Sequence, residues 1–484
     1  MILINNCLTI DVGTTNTKVT LWHNQIPELR AFPTPKKVMD NLTNFDLKKL
    51  WAKIIAKIKT FDSAQLNKVE KIAIASVGES GILINEKKEE LGQCIAWYDE
   101  RAQLIVDQIP QAERDEIYQI TGLPLNAHYS ACKIAWLLKY DETIKEPKGK
   151  MMWLCIPDYL VFKLTGNLAT ENTIASRTLC FDIKKRQWSE RIKDIFKIKN
   201  ITFPQVFQSG TNLGKVCGKI ANLFNENCQV VIGGHDHMCG ATGINLQNSE
   251  LFDSTGTTEA IMTLVNQPDV SKEAQKNGLA NGIYTNSQLY TRFTAMPSAG
   301  STIAWFMNAF KISEEKFSLT MNQVLDEYND HSLFDSQVLF FPHFNGSGAP
   351  NKMPDSKGMI YGLTRQTTLN ELTFGLFLGL TFEFYIAYES MFKSKDYTAI
   401  KVIGPAVKDP IWSQLKADIL GLRVECIDAQ QVVSEGAYTI STHNNLHNTV
   451  IKYFPTQEKL KKQYLNKMLK LYQEIYNNKM KQGL

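Results

Sequence analysis

The chain has 484 residues, 44% hydrophobic and 21% charged, with a formal net charge of +4. That length exceeds one core, so two domains are the default, and a small, scattered positive charge leaves no nucleic-acid footprint. Nine cysteines without a C-x-x-C pair read as reduced thiols, not as a disulfide framework.

The first residues lack the basic region of a signal peptide. The longest apolar stretch, 374–388, carries Glu383 and is too short to span a bilayer. The expectation is a cytoplasmic protein with no membrane segment.

An apolar run, Ile2, Leu3 and Ile4 followed by Leu8 and Ile10, brings the chain to Asp11. After Val12-Gly13-Thr14-Thr15-Asn16-Thr17 it resumes as Lys18-Val19-Thr20-Leu21-Trp22, alternating as a strand does. This is a hairpin whose tip offers backbone N–H groups and hydroxyls suited to phosphate oxygens. Asp11, at the strand end, is placed to hold a hydrated Mg²⁺. An ordinary hairpin with common turn residues is the alternative.

Residues 46–59 have helical apolar spacing (Leu47, Leu50, Trp51, Ile54, Ile55, Ile58). Residues 69–77 form a buried strand ending at Gly78-Glu79-Ser80-Gly81, which puts Glu79 and Ser80 at the ligand edge of a sheet. Trp97-Tyr98-Asp99-Glu100-Arg101 suits a polyhydroxy ligand, with aromatic faces on C–H surfaces and a carboxylate accepting from hydroxyls. A core Trp beside an ion pair fits those residues equally well. Residues 130–138 open a helix with Ser130 as N-cap, 156–166 form a short helix stopped by Gly166, and 176–181 read as a strand. Packing, more than chemistry, is the expectation for these three segments.

Residues 229–243, QVVIGGHDHMCGATG, form a strand that gives way to a helix at His235-Asp236-His237. A carboxylate there can take a proton from a substrate hydroxyl. Metal ligation by His235 and His237 with Asp236 and a purely structural turn remain open, although no Cys/His cluster at zinc spacing supports the former. Half a chain after the first hairpin, Asp253-Ser254-Thr255-Gly256-Thr257-Thr258-Glu259 repeats its design, an acid and a glycine flanked by hydroxyls. Repetition of this kind implies a duplicated domain with nucleotide phosphates clamped between the copies. Further on come a helix from Gly300-Ser301, a long buried helix at 368–391, and a strand at 399–403 leading into Gly404-Pro405-Ala406. A helix at 411–421 is stopped by Gly421, another starts at Glu435, and a lysine-rich helix over 456–480 carries a stripe of Leu460, Tyr464, Met468, Leu471, Tyr472 and Ile475.

Taken in order, DVGTT (11–15), WYDER (97–101), IPDYLVFKLTG (156–166), GGHDH (233–237), DSTGTTE (253–259), FPHFNGSGAP (341–350), GMIYGL (358–363) and WSQLKADILG (412–421) resemble the FGGY family of carbohydrate kinases, within the actin-like ATPase superfamily. The resemblance implies an α/β fold of two duplicated ribonuclease-H-like domains, spanning 1–245 and 246–484, with ATP and a sugar or polyol in the cleft between them. By position, Asp11 resembles the Mg²⁺-associated acid, and Gly13, Thr14, Thr15 and Lys18 the first phosphate site. Asp236 resembles the catalytic base. Gly256, Thr257 and Thr258 resemble the second phosphate loop, and Gly300, Ser301, Gly404, Ala406 and Lys408 the remaining nucleotide contacts. Gly78, Glu79, Ser80, Trp97, Asp99, Asp236 and His237 resemble the sugar site. Members are often dimers, which leaves a homodimer open.

Two departures stand out. Pro405 removes an N–H from a loop that is usually a run of glycines, and Asp409 replaces a neutral group. Weakened or altered nucleotide use is implied, and with it a second reading, a catalytically silent sugar-binding regulatory protein. Gly78-Glu79-Ser80-Gly81 departs from the Gln-Met-His-Gly pattern of xylulokinases and His237 from the Asn or Gln of xylulose and glycerol kinases, which makes xylulose and glycerol less favoured, and Glu79 would repel a sugar acid. A neutral ketose such as a pentulose is the leading expectation. The sugar-site segments count against an actin-like or chaperone ATPase.

Overall fold

The computed structural model describes residues 6–144, 149–286, 288–392, 396–429 and 431–482. Ile2, Leu3 and Ile4 of the expected first strand lie outside them.

The first strand, Asn6–Val12, pairs antiparallel with Asn16–His23, which places Asp11 opposite Lys18. Ile26–Pro33 extends that meander. On the other side Lys71–Ser76 and then Gln229–His235 join in parallel, and Asn212–Lys215 closes the sheet antiparallel. The second half repeats five of these strands. Glu250–Thr255 pairs antiparallel with Glu259–Val265, which pairs antiparallel with Tyr290–Met296. Ala399–Ile403 and Arg423–Asp428 add in parallel, and Thr449–Tyr453 closes antiparallel. One further strand, Ala280–Ile283, edges the second sheet. Two five-strand units with the same order and direction are the duplicated ribonuclease-H-like fold that the repeated hairpin motif implies; the closing strands differ, since Asn212–Lys215 precedes its neighbour in the chain and Thr449–Tyr453 follows its own. The parallel strands of each sheet end on the same side as its hairpin tip, so ligand-edge residues from both sheets face one cleft.

Helices start and stop where the sequence dictates. Asp46 caps Leu47–Ile58 by accepting from Lys49 N at 3.0 Å, and the helix buries Leu47, Leu50, Ile54 and Ile58. Thr368 and Glu371 form a capping box on Leu369–Met391, a helix buried almost all round. Gly166 and Gly421 end their helices at φ values of 76° and 68°.

Several expectations are corrected. Ser130 lies inside the helix Ser130–Tyr140 and is not its N-cap; Tyr129 holds that position, and Ser130 Oγ donates to Glu79 O at 3.0 Å. Residues 176–180 are a turn, with only Phe181–Asp182 extended. The helix expected from Glu435 begins at Val432, and the last helix spans Lys459–Gln482. Leu460 therefore sits in a first turn, off the stripe, and is exposed, whereas Tyr464, Met468 and Tyr472 are buried.

The helix Val432–Thr442 crosses back to complete the first domain. Tyr438 packs against Trp22 at 4.9 Å between ring centroids, and Thr20 Oγ1 donates to Gln431 Oε1 at 2.6 Å. The same helix lies against Asp236–Gly243 so closely that a Cβ on Gly436 would overlap the carbonyl oxygen of Cys239. The boundary at 245/246 thus separates the two sheets, but not every helix that covers them. No helix among the described residues is long and apolar enough to cross a membrane.

Candidate active site

The first hairpin tip is held from below. Gly13 N donates to Asn16 O at 3.1 Å, Thr34 N to Thr15 O at 2.9 Å, and Thr34 Oγ1 to Gly13 O at 2.8 Å. Thr14 lies half-buried and Thr15 exposed at the tip. Asp11 is buried beside it, and its carboxylate accepts no hydrogen bond among the described residues. Burial pushes its pKa up to about 7; the Lys18 ammonium opposes the rise and the Asp236 charge adds to it. A desolvated carboxylate without a protein donor, next to a second carboxylate, is short of positive charge. That is the environment a divalent cation relieves, and Mg²⁺ characteristically takes one or two carboxylates plus phosphate oxygens. Asp11 fits that part.

Asp236 is the first residue of the helix Asp236–Gly243, at the end of Gln229–His235. Its Oδ1 accepts from His237 N at 2.7 Å and lies 3.1 Å from His235 Nδ1. The far nitrogen of the same imidazole, His235 Nε2, lies 3.8 Å from Glu79 Oε2, and Arg177 Nε donates to Glu79 Oε1 at 2.8 Å. Arg177, Glu79, His235 and Asp236 therefore run in sequence across the floor of the cleft. Burial works to raise the Glu79 pKa, but Arg177 and His235 outweigh it and hold the carboxyl well below the usual range. Glu79 adopts φ of 62°, uncommon for a residue with a side chain, and Gly78 lies buried beneath His235. The Ser80 hydroxyl is buried without a hydrogen-bond partner among the described residues. His235 and His237 do not converge on a shared metal. His235 turns to Glu79 and Asp236, while the His237 ring packs against Phe293 at 5.1 Å.

The aromatic segment divides between the two readings the sequence left open. Trp97 lines the cleft, and its Nε1 donates to Thr14 Oγ1 at 2.8 Å. Lys133, fully buried, fixes that wall from behind by donating to the carbonyl oxygens of Trp97, at 3.2 Å, and of His128. Asp99, expected to accept from ligand hydroxyls, accepts from the chain itself. Its Oδ1 takes Arg101 Nε at 2.8 Å, and its Oδ2 takes Arg101 Nη2 at 2.7 Å and Thr43 N at 2.5 Å. With its carboxylate spent on that buried ion pair, Asp99 is a brace for the segment.

The second hairpin tip is built alike, with Gly256 N donating to Thr258 O at 2.8 Å and Thr257 and Thr258 exposed. Its acid differs. Aligned on the last strand pairs, Val12 with Thr17 and Thr255 with Glu259, the counterpart of Asp11 is Ser254, and Asp253 falls one residue earlier. Side chains alternate along a strand, so Asp253 points to the opposite face. There it is sealed in an ion triad with Lys416 and Glu259. The apparent repeat of the acid is coincidental.

Gly300 and Ser301 open the helix Gly300–Ala309, but their N–H groups already donate to Gly256 O and Thr257 O, at 2.9 and 3.1 Å. They brace the second phosphate loop. The Ser301 hydroxyl is buried and unpartnered among the described residues, which leaves it available to a ligand. Ala406 N donates to Thr255 Oγ1 at 3.1 Å and is likewise spent on the scaffold, whereas Gly404 and Lys408 are exposed. Gly404, at φ of 94°, packs so tightly on Thr255 that a Cβ would overlap its carbonyl oxygen. Two hydroxyl-bearing tips, a backbone cradle only glycine can line and an unpaired hydroxyl make a surface that fits a nucleotide triphosphate.

Arg177 is a candidate site residue absent from the sequence reading, because it lies in a segment assigned to packing. The signal was a single arginine inside the otherwise neutral run Ile174-Ala175-Ser176-Arg177-Thr178-Leu179-Cys180-Phe181, where burial demands a partner or a ligand. Phe293, from the second sheet, was missed too. It lies over the Arg177 guanidinium at 5.8 Å and so brings the second domain up to the Glu79–Arg177 pair.

The chain matches the FGGY family of carbohydrate kinases, N-terminal domain, over residues 6–243, and the C-terminal domain of that family over residues 251–443. A glycerol kinase of Saccharolobus islandicus is 26% identical over 433 residues, covering 86% of this chain and 83% of the relative. Among solved structures, a ligand-bound xylulose kinase from Lactobacillus acidophilus aligns with a TM-score of 0.85 at 23% identity, over 98% of both chains. A gluconate kinase from the same organism aligns with the same TM-score, identity and coverage.

Proposed function

Since the chain belongs to the FGGY family of carbohydrate kinases, we propose that it transfers the γ-phosphoryl group of ATP to a hydroxyl of a small neutral sugar or polyol, a ketose such as a pentulose foremost. As a member it is a phosphotransferase with an alcohol acceptor. The donor, the acceptor and the residue roles belong to the proposal.

The observation that carries it is that Asp11 and Asp236 stand at the same edge of one sheet, at the ends of parallel strands separated only by Lys71–Ser76, where the charge of Asp236 helps to raise the pKa of Asp11. Asp236 takes the proton from the attacking hydroxyl at a carboxylate oxygen. His235 and the N–H of His237 fix the Asp236 carboxylate in place. Asp11 would hold Mg²⁺, which when bound neutralises phosphate charge. The tips at 13–15 and 256–258 position the phosphates with N–H groups and hydroxyls, and phosphoryl transfer depends mostly on such positioning. Trp97, Glu79 and Arg177 orient the acceptor, and Phe293 covers it when the halves close and exclude water.

A coupled ADP-release assay with MgATP against ketopentoses, ketohexoses, deoxy-ketoses, polyols and sugar acids tests the proposal. Turnover with one neutral acceptor that disappears in Asp236→Asn supports it; turnover independent of every acceptor sinks it. The silent sugar-binding reading has one observation in its favour. Pro405 has no N–H and Ala406 spends its own on Thr255, so the nucleotide loop offers few donors. Undetectable ATP binding by calorimetry, with sugar binding intact, would favour it.

A further inference from the structure

The Arg177 guanidinium lies in an aromatic slot, 5.4 Å from the Tyr129 ring and 5.8 Å from the Phe293 ring. A guanidinium buried beside aromatic rings is a receptor for a carboxylate, because its planar fork matches two oxygens at once. Here one edge of the fork is already taken. Glu79 supplies the carboxylate from inside the chain, with Oε1 at 2.8 Å from Arg177 Nε. Both side chains are largely buried, at 13% and 7% exposure. The chain goes to some length to hold the acid there. Glu79 sits in left-handed backbone at φ of 62°, and Ser130 Oγ fastens its carbonyl at 3.0 Å. Strain of this kind persists at functional positions when the surroundings over-determine it.

We propose that Glu79 is an internal carboxylate that occupies Arg177 and thereby selects neutral polyhydroxy acceptors against sugar acids. This inference rests on the kinase reading above and adds to it the pair that sets the charge of the acceptor. A sugar acid would bring a second anion to a guanidinium already paired, close to the Asp236 and Asp11 carboxylates, and like charges brought together in a desolvated pocket are strongly disfavoured. A neutral diol meets a matched surface. Glu79 Oε2 accepts from one hydroxyl and the remaining N–H groups of Arg177 donate to the neighbouring oxygen.

The test compares kcat/KM for glycerol, D-xylulose and D-gluconate at saturating MgATP. Wild type should favour its best neutral acceptor over gluconate by about 100-fold or more. Glu79→Gln frees Arg177 and removes the competing anion, so the gluconate-to-neutral ratio should rise about tenfold or more, mainly through a lower KM for gluconate. The double variant Glu79→Gln/Arg177→Met should lose that gain. Wild-type use of gluconate equal to that of the neutral acceptors would overturn the inference and leave the kinase reading standing. So would equal losses for both classes in Glu79→Gln. No phosphorylation of any acceptor by wild type would overturn the kinase reading and this inference with it. Should Glu79→Gln fail to fold, Glu79→Asp, which keeps the charge but draws it back from Arg177, takes its place; a gluconate-to-neutral ratio unchanged from wild type would then overturn the inference.

Discussion

The indole N–H of Trp97 donates to the hydroxyl of Thr14 at 2.8 Å, so the aromatic segment at 97–98 and the tip of the first hairpin share one hydrogen bond across 83 residues of chain. On the proposed reading, acceptor and phosphate recognition are mechanically joined there. Trp97→Phe keeps the ring and deletes the bond. With a neutral hydrogen bond worth about 0.5–1.5 kcal/mol, kcat/KM should fall about two- to tenfold for both the acceptor and ATP. A change confined to the acceptor would show that the bond does not couple the two sites.

Asp236→Asn preserves the shape of the site and removes the proton acceptor. Loss of a general base lowers kcat by about 10²- to 10⁴-fold while substrate binding persists. Coupled ADP release for kcat, with acceptor binding followed by Trp97 fluorescence, checks both halves of this expectation.

Lys133 is buried, and desolvation lowers its pKa from the ordinary 10.5 to about 8, with the charges of Glu79 and nearby groups opposing. Below pH 8 both the folded and the unfolded chain hold this proton, and above 10.5 neither does. Between those values the folded chain has released it and the unfolded chain has not, so unfolding takes up a proton. This group's contribution to stability therefore rises with pH across that window. Denaturant midpoints of wild type and Lys133→Met, measured at pH 8 and 10, should diverge in that direction.

Lys416 holds Asp253 and Glu259 together in the interior of the second domain. Lys416→Met would leave two buried carboxylates unpaired, at a cost of about 3–5 kcal/mol. Replacing all three groups, with Asp253→Asn and Glu259→Gln added, should recover most of that loss. Urea unfolding measures both variants.

Gly436 meets the Cys239 carbonyl backbone to backbone. Gly436→Val forces the two helices apart, at a cost of about 1–3 kcal/mol. Because the helix on the other side begins at Asp236, kcat should fall as well. Unfolding midpoint and turnover, measured on the same preparation, test the pair of effects.

Strands, hairpin tips and the strand-to-helix step at Asp236 were legible because they rest on local signals: alternation, turn glycines and an acid at a strand end. Other features were not local. Asp253 looked like a second Asp11, since spacing to the glycine differs by a single residue and only strand pairing reveals which face the acid takes. Asp99 looked like a ligand contact, because its partners include Thr43 N from a distant strand. Arg177 gained its meaning from Glu79, 98 positions away. The return of Val432–Thr442 to the first sheet has no mark in its own sequence beyond a small residue, Gly436, where contact is closest.

That contact also fixes where the molecule stands still. Backbone packed on backbone leaves no side chains to disengage, so the helices Asp236–Gly243 and Val432–Thr442 form a natural fulcrum. For any rotation of one half against the other about that line, displacement grows with distance from it. The second hairpin tip would travel farther than Asp236, which stands at the end of a fulcrum helix, and farther than Phe293, whose ring lies 5.1 Å from His237 on that helix. The proton acceptor would keep its place beside His235 while the donor side swings past it. An open cleft can thus release product without dismantling the groups that must be aligned for the next turnover.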